Sequence, residues 1–335
     1  MKIKWKSGFT PSVIVEKLSK IRILDGDKVS FSGFEYHEYI ALLKSMIHIN
    51  EIISTIVSGQ LVVNGFHEAA KKKILTPDSI LSAIKKQARQ HQSKPDQPFW
   101  LLTSLNLTNI QDIPKYRING CEFRFYNQLP LKYKIARDQI ISDASSWLTG
   151  CEEKPTCYVT VHTKDKGAPD AAEKMLDALN LLRGIWNLHL NKTMVIHFGH
   201  SVKPINQITL GALHTLHDKR GNSSGNIFWY EPDYQKDQGV VNFSKKSIKT
   251  LEFTNDVRKS LKKNKYGKSV ETALIRYVES LDLQNYNAAF IKLWSLLEYL
   301  TATLKDGYDK TIKRTVFQYK DREYNRGFWG HSVIM

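Results

Sequence analysis

The chain has 335 residues, which is enough for two domains of ordinary size and a large buried core. A hydrophobic share of 41% excludes an intrinsically disordered protein, and three cysteines are too few for a disulfide framework. Lys and Arg outnumber Asp and Glu by 49 to 33, and the net charge of +16 favours a polyanionic partner such as nucleic acid over a merely solvated basic surface.

The beginning of the chain, MKIKWKSGF, lacks the apolar stretch of a secretory signal. No window of about 18 apolar residues occurs that would suit a membrane-spanning helix. Together with reduced cysteines, these features lead us to expect a cytoplasmic protein without a membrane partner.

Helical patterns dominate the first hundred residues. Apolar residues recur at helical spacing over 36–57, which predicts one amphipathic helix there. A second helix is predicted to begin at Thr76 as its N-cap, with Pro77 in the first turn and Asp78 near the positive helix end.

Strand patterns follow. FWLLTSLNL (99–107) predicts a half-buried strand, and CYVTVHT (157–163) predicts another. KYRINGCEFRFY (115–126) predicts a hairpin, because Asn119 and Gly120 can supply the two positive φ angles of a type I′ turn.

A long helix is then predicted over 168–190, with an apolar stripe at 3, 4 and 7 spacing. Further strands are predicted within MVIHF (194–198), QITLGALHTLH (207–217) and GNIFWY (225–230). Residues 1–240 therefore predict a mixed α+β domain with antiparallel strands, which would serve as a sensing or substrate domain.

Beyond residue 244 the pattern becomes a succession of helices with few strand signals. We place a boundary near 240 and predict an all-α domain over 241–335. Basic side chains predicted to contact nucleic acid stand in three places along the whole chain, and a solvated helix face is the alternative for each of them. They are Lys71, Lys72 and Lys73; Lys85, Lys86 and Arg89; and Lys262 and Lys263.

The segment NAAFIKLWSLLEYL (287–300) predicts an amphipathic helix with Trp294 in its apolar stripe. Core packing accounts for the apolar residues. Glu298 falls on the rim of the stripe, one turn after Trp294, where it can stay near water or reach a cation on a neighbouring helix.

This helix resembles the Apea-like (Abi-type) branch of HEPN domains, in which an apolar-Trp pair is followed by Leu-Glu-apolar-Leu. The following segment KTIKRTVFQYKDRE (310–323) resembles the same family, as do IFWYEPDY and AAEKMLDALNLLRGIWNL upstream. The resemblance implies a helical bundle that dimerises, and a metal-independent endoribonuclease of bacterial defence or toxin systems. Such an effector would halt growth by abortive infection in response to a phage-derived trigger.

The family's catalytic signature is Arg followed by four to six residues and then His, and RGFWGH (326–331) has this spacing. By this resemblance Arg326 would neutralise charge on the phosphorane, His331 would shuttle the 2′-hydroxyl proton, and Glu298 would support the bundle. Gly327 departs from the family, which prefers a polar residue after the Arg. The bundle's last helix is also missing from the pattern, so we expect a C-terminally incomplete member. A similarly spaced pair, Arg183 and His189, is interpreted as structural.

No cofactor or metal is expected. The spacing of His197, His200, His214 and His217 suits partly exposed strand and loop histidines better than a zinc site, which needs three or four convergent ligands. The alternative function is a catalytically inactive protein that binds nucleic acid or a partner and acts by association.

Overall fold

The computed structural model describes residues 2–26, 28–49, 53–143, 156–191, 206–230, 239–243, 247–283, 285–302 and 307–315. It confirms a mixed α+β fold with antiparallel sheets. The chain divides into two compact units, Met1–Phe99 with Thr163–Lys174, and Trp100–His162 with Met175–Met335. The boundary predicted near residue 240 falls within the second unit, and a functional division there stays a prediction. No helix within the described ranges is long and apolar enough to cross a bilayer.

The first unit packs helices around a core that includes Leu18, Leu43, Phe66, Ile80 and Ile84, all fully buried. Two short antiparallel pairs of strands, β1 with β4 and β2 with β3, lie beside these helices. In chain order the elements are β1 (Ile3–Trp5), α1 (Pro11–Lys20), β2 (Arg22–Asp25), β3 (Lys28–Phe31), α2 (Glu35–Met46), β4 (Ile47–Ile49), α3 (Thr55–Ala70) and α4 (Pro77–Gln92).

The single helix predicted over 36–57 is wrong, because α2 ends at Met46 and the chain turns into β4. Strand β4 pairs antiparallel with β1, and that partner stands more than forty residues earlier in the chain. A new helix then begins because the Ser54 side chain caps it, accepting a hydrogen bond from the Val57 N–H at 3.0 Å. Helical spacing of the apolar residues continues through the break, so the sequence pattern does not reveal it.

The predicted start of α4 is confirmed. The Thr76 hydroxyl accepts from the Ser79 N–H at 3.1 Å, and the Ser79 hydroxyl accepts from the Thr76 N–H at 3.0 Å. Pro77 occupies the first turn, where its missing N–H would have no helical partner.

A six-stranded sheet with the order β11-β10-β5-β9-β8-β7 forms the centre of the remaining chain. In the sequence, helices α5 and α6 lie between strands of this sheet, and helices α7 to α9 follow its last strand. The elements are β5 (Gln97–Leu105), β6 (Leu107–Thr108), β7 (Tyr116–Ile118), β8 (Cys121–Tyr126), α5 (Leu131–Asp143), β9 (Cys157–Asp165), α6 (Ala168–Leu190), β10 (Leu213–His217), β11 (Ser223–Tyr230), β12 (Val241–Asn242), α7 (Ser247–Lys263), α8 (Gly267–Leu281) and α9 (Tyr286–Thr301).

Two local predictions in this part are confirmed. Asn119 and Gly120 adopt φ angles of 48° and 80° and join β7 to β8 as a tight hairpin. Helix α6 spans the predicted residues, and its stripe is fully buried. The stripe residues are Met175, Leu179, Leu182 and Trp186.

The strands agree less well with the sequence. Strand β5 is buried on both faces over 101–105, so the prediction of a half-buried strand is wrong. This burial suits a strand in the middle of a sheet with both faces covered. Of 207–217 only Leu213–His217 is a strand, and MVIHF (194–198) lies outside the described residues.

A buried ion pair connects α6 to the end of α8. The guanidinium of Arg183, which is 0% exposed, donates to both carboxylate oxygens of Asp282 at 2.7 and 3.0 Å. Asn180 accepts from the same guanidinium at 2.8 Å, and the Asn206 amide donates to Asp282 at 2.7 Å. Arg183 thus has a structural role, as its position on the long helix indicates.

Replacing Arg183 by Met should lower the free energy of unfolding by about 3–5 kcal/mol, because Asp282 would stay buried without its cation. Adding Asp282→Leu removes the second charge and should restore most of that loss. Urea denaturation measures both effects. The matched control is Lys134→Ala, which breaks an exposed pair with Asp138 at 3.1 Å and should cost less than about 1 kcal/mol. Equal losses for the buried and the exposed pair would contradict this account.

Candidate nucleic-acid interface

The two residues predicted to be catalytic, Arg326 and His331, lie outside the described residues. The supporting residue Glu298 is half-buried on α9 and accepts a hydrogen bond from the Trp294 indole N–H at 2.9 Å. It therefore contacts a side chain of its own helix, one turn earlier. The next residue, Tyr299, contacts α8, since the Arg276 guanidinium lies 4.8 Å from the centre of its ring.

The apolar stripe predicted for α9 is only partly covered. Within the described residues, Phe290 is 65% exposed and Leu300 is 50% exposed, so the prediction that core packing accounts for the apolar residues of the stripe is wrong. The buried residues of α9 are Ala289 and Leu296, which lie outside the predicted stripe. Ile291, at 64% exposure, is on a different side of the helix from Leu300.

The side chain of Arg22 holds the main chain of the lysine run at the end of α3. The Arg22 guanidinium donates to the carbonyl oxygens of Ala70, Lys72 and Lys73 at 3.0, 2.9 and 3.1 Å. The side chains of Lys71, Lys72 and Lys73 are exposed, and none forms an ion pair within the described part of the chain. Three positive charges are therefore displayed from a fixed backbone.

An aromatic cluster adjoins this run. Phe31 stacks on Tyr36 with ring centres 4.7 Å apart, and the Tyr36 hydroxyl lies 2.7 Å from His67 Nε2. Phe31 stands opposite Arg22 in the β2–β3 ladder, and His67 is one helical turn before Lys71. Burial and the charge of Lys71 lower the pKa of His67, so the ring is neutral at neutral pH.

Phe34 is the most exposed aromatic residue of this region, at 94%, and it stands between β3 and α2. We define the basic–aromatic surface as Phe31, Phe34, Tyr36, His67 and Lys71–Lys73. Sequence reasoning missed its aromatic members. The available signal was the cluster of aromatics in SFSGFEYHEY, which a helical period does not explain.

The other predicted basic residues differ in how free their charges are. Lys85, Lys86 and Arg89 are all exposed on α4, but Lys86 pairs with the Glu68 carboxylate, which also accepts from Gln87 at 2.8 Å. Lys262 and Lys263 are exposed in the last turn of α7, where cations also stabilise the helix end. They belong to the second unit, whereas the other two groups belong to the first.

The histidines of β10 are fully buried, which corrects the prediction that they are partly exposed. His214 Nδ1 lies 2.6 Å from the Thr103 hydroxyl. His217 Nδ1 donates to the Gly221 carbonyl at 3.0 Å, and its Nε2 lies 2.8 Å from the Thr215 hydroxyl. Nowhere in the described ranges do three His, Cys, Asp or Glu side chains gather as a metal site. His197 and His200 lie outside those ranges.

Comparisons of the chain with protein-family models, with curated proteins and with solved structures found no match. The HEPN resemblance therefore stays a prediction made from the sequence. Any function assigned to the protein rests on its own residues, and the basic–aromatic surface is the most explicit feature among those described.

Burial lowers the pKa of His214 to about 3 and that of His217 to about 4, and nearby arginines contribute to both shifts. Between the unfolded pKa of about 6.5 and these values, the unfolded chain takes up protons that the folded chain does not. The free energy of unfolding should therefore fall with decreasing pH, by about 1.4 kcal/mol per pH unit for each histidine.

Urea denaturation of His214→Asn between pH 7 and about pH 4 tests this. The variant removes one of the two contributions and should show a shallower pH dependence than the parent chain. His37→Asn, at an exposed position, is the matched control and should leave the pH dependence unchanged. A His214→Asn profile parallel to that of the parent would show that the buried ring does not resist protonation.

Proposed function

We propose that this protein is an RNA-directed effector of the HEPN type, which binds single-stranded RNA on the basic–aromatic surface and cleaves it without a metal. The observation that supports the binding step is the set of exposed lysines, Lys71–Lys73, on a main chain that Arg22 holds, together with the exposed ring of Phe34. The cleavage step rests on the sequence resemblance and on Arg326 and His331.

The surface has the two components that unpaired RNA requires. Lysine ammonium groups neutralise backbone phosphates, and the exposed ring of Phe34 offers a face on which a base can stack. Arg22 fixes the main chain beneath the lysines, so less conformational entropy is lost when RNA binds. Lys85 and Arg89, which have no ion-pair partner in the described ranges, add charge in the same unit.

The proposed chemistry follows from attack by the RNA's own 2′-oxygen on the adjacent phosphorus. His331 would accept the 2′-hydroxyl proton and return a proton to the departing 5′-oxygen, while Arg326 would stabilise the charge of the phosphorane. The products would carry a 2′,3′-cyclic phosphate and a 5′-hydroxyl. This step uses no cofactor, and a role in phage defence would follow from growth arrest by such cleavage.

A homodimer belongs to the proposal, because the family builds its site from two copies of the motif. Phe290 and Leu300, both exposed and on one side of α9, form an apolar strip that a second copy can cover. Glu298, held by the indole of Trp294, would keep the adjoining part of the helix ordered. The supporting role of Glu298 would then be to shape the helix that carries this strip.

Phe34→Ala should weaken binding of single-stranded RNA by about tenfold, because one stacked base contributes about 1–3 kcal/mol. Ile56→Ala is the matched control, since Ile56 is also an exposed apolar side chain, at 44%, but no Lys or Arg stands near it in the sequence segment EIISTIVSGQL. Fluorescence anisotropy with a labelled oligonucleotide measures both affinities.

The triple change of Lys71, Lys72 and Lys73 to Ala should also reduce the salt slope of log K by about 2. An unchanged slope would remove this surface from the proposal.

Cleavage of single-stranded RNA should proceed in EDTA and should disappear in His331→Ala, whereas His37→Ala should retain it. A substrate with 2′-deoxyribose at the cleaved position should resist, because its nucleophile is missing. Gel analysis of end-labelled RNA gives the result. Binding without products at any protein concentration would favour the alternative, a protein that recognises RNA and acts by association. Cleavage that persists in His331→Ala would reject the catalytic assignment.

A further inference from the structure

A cleft of about 250 Å³ lies within the first unit, between α3, α4 and the chain that enters α6. Its floor carries an imidazole beside a carboxylate, with His91 Nε2 2.8 Å from Asp170 Oδ2. Both side chains are nearly buried, at 11% and 8% exposure. The cleft shares no residue with the basic–aromatic surface.

The two carboxylate oxygens of Asp170 have different surroundings. Its Oδ1 accepts from the Ser54 N–H at 2.9 Å at the start of α3, and Glu173 serves the adjacent Thr55 N–H in the same way at 2.8 Å. These bonds account for Oδ1 but not for Oδ2, which accepts no hydrogen bond from any other described group. His91 Nε2 approaches Oδ2 to 2.8 Å without a well-directed hydrogen bond, so the ring stands beside a buried carboxylate oxygen that is otherwise unpartnered among the described residues.

Carboxamides surround this pair. Gln60 and Asn64 stand one turn apart on α3, and Gln90 faces the cleft from α4. The side chains of all three are exposed and form no hydrogen bond with described groups, in contrast to Gln87, which is bound to Glu68. An amide that offers both a donor and an acceptor matches the edge of a nucleobase.

The remaining walls supply an apolar contact and a cation. Val57, Leu61 and Pro169 line the cleft and can contact the flat face of a ring. Lys94 is exposed at the mouth, and its ammonium group forms no ion pair among the described residues. Its carbonyl oxygen accepts from Lys166 Nζ at 3.0 Å, which holds the main chain in place.

We propose that this cleft binds a single ribonucleotide. The carboxamides would contact the base edge, His91 Nδ1 would contact a ribose hydroxyl, and Lys94 would contact the phosphate. The cleft's volume of about 250 Å³ is just below the range of about 300–1,000 Å³ for sites of drug-sized molecules, so the cleft excludes any ligand longer than one nucleotide. The site does not depend on the proposed RNA cleavage.

Isothermal titration of the full chain with the four common ribonucleoside monophosphates tests the site. At least one of them should bind, and His91→Ala should weaken it by about tenfold, because a hydrogen bond from an oriented side chain is lost. Lys94→Ala should weaken the nucleotide more than the corresponding nucleoside. Lys134→Ala, on α5 in the second unit, is the matched control and should leave the affinity unchanged.

Since His91→Ala disturbs a buried carboxylate, Asn64→Leu combined with Gln90→Leu provides a second variant at exposed positions. It should retain the circular dichroism of the parent chain and lose nucleotide binding. The proposal is overturned if none of the four nucleotides binds at millimolar concentration, or if inorganic phosphate binds as well as the nucleotide does. Binding that both variants leave intact would overturn it equally.

Discussion

The second unit depends on one buried ion pair, Arg183 with Asp282. Two charges removed from water destabilise a fold unless each finds its counter-charge and satisfies its remaining hydrogen-bonding groups. Asn180 and the Ile208 carbonyl accept further hydrogen bonds from the guanidinium, whose Nε has no partner among the described residues, and the Asn206 amide donates to the carboxylate. The pair thus defines where α6, the chain before β10 and the end of α8 meet.

Helix α6 also holds the segment before β10, which forms neither a helix nor a strand. Asn187 on α6 donates to the Ile208 carbonyl at 3.0 Å and accepts from the Ile208 N–H at 2.9 Å, so it acts as a substitute strand neighbour. The segment before β10 therefore leaves no backbone group of Ile208 without a partner. Both histidines of β10 are buried in the sheet. A charged ring would be unfavourable there, because burial removes it from water.

Local signals in the sequence predicted what local chemistry determines. The capping box at Thr76, the turn at Asn119 and Gly120, and the bounds of α6 depend on residues close together in the chain, and all are confirmed. The break after Met46 depends on a distant strand, and the covered side of α9 depends on which helix packs against it. Those features require tertiary contacts that no periodicity contains. The candidate sites have the same property, since His91 meets a carboxylate 79 positions later in the sequence.

The net charge likewise states how many charges the chain carries, but not where they lie on the surface. Lys86 and Lys72 are both exposed lysines of the first unit, yet Lys86 pairs with Glu68 and Lys72 has no ion-pair partner among the described residues. The net charge of +16 therefore does not indicate how much charge a partner meets at a given place on the surface. The anchoring by Arg22, which a sequence pattern cannot show, makes the lysine run a defined surface.

The first unit is discontinuous, since it takes Thr163–Lys174 from beyond a long stretch of the second. Asp170 reaches its partner Ser54 across 116 positions. As a ribosome makes the chain, the start of α3 must wait for that carboxylate until most of the sheet has already emerged. The start of α3 and the cleft beside it therefore acquire their final contacts only after residue 170 has been made, about halfway along the chain, although the core of the amino-terminal helices is formed by residues that precede it.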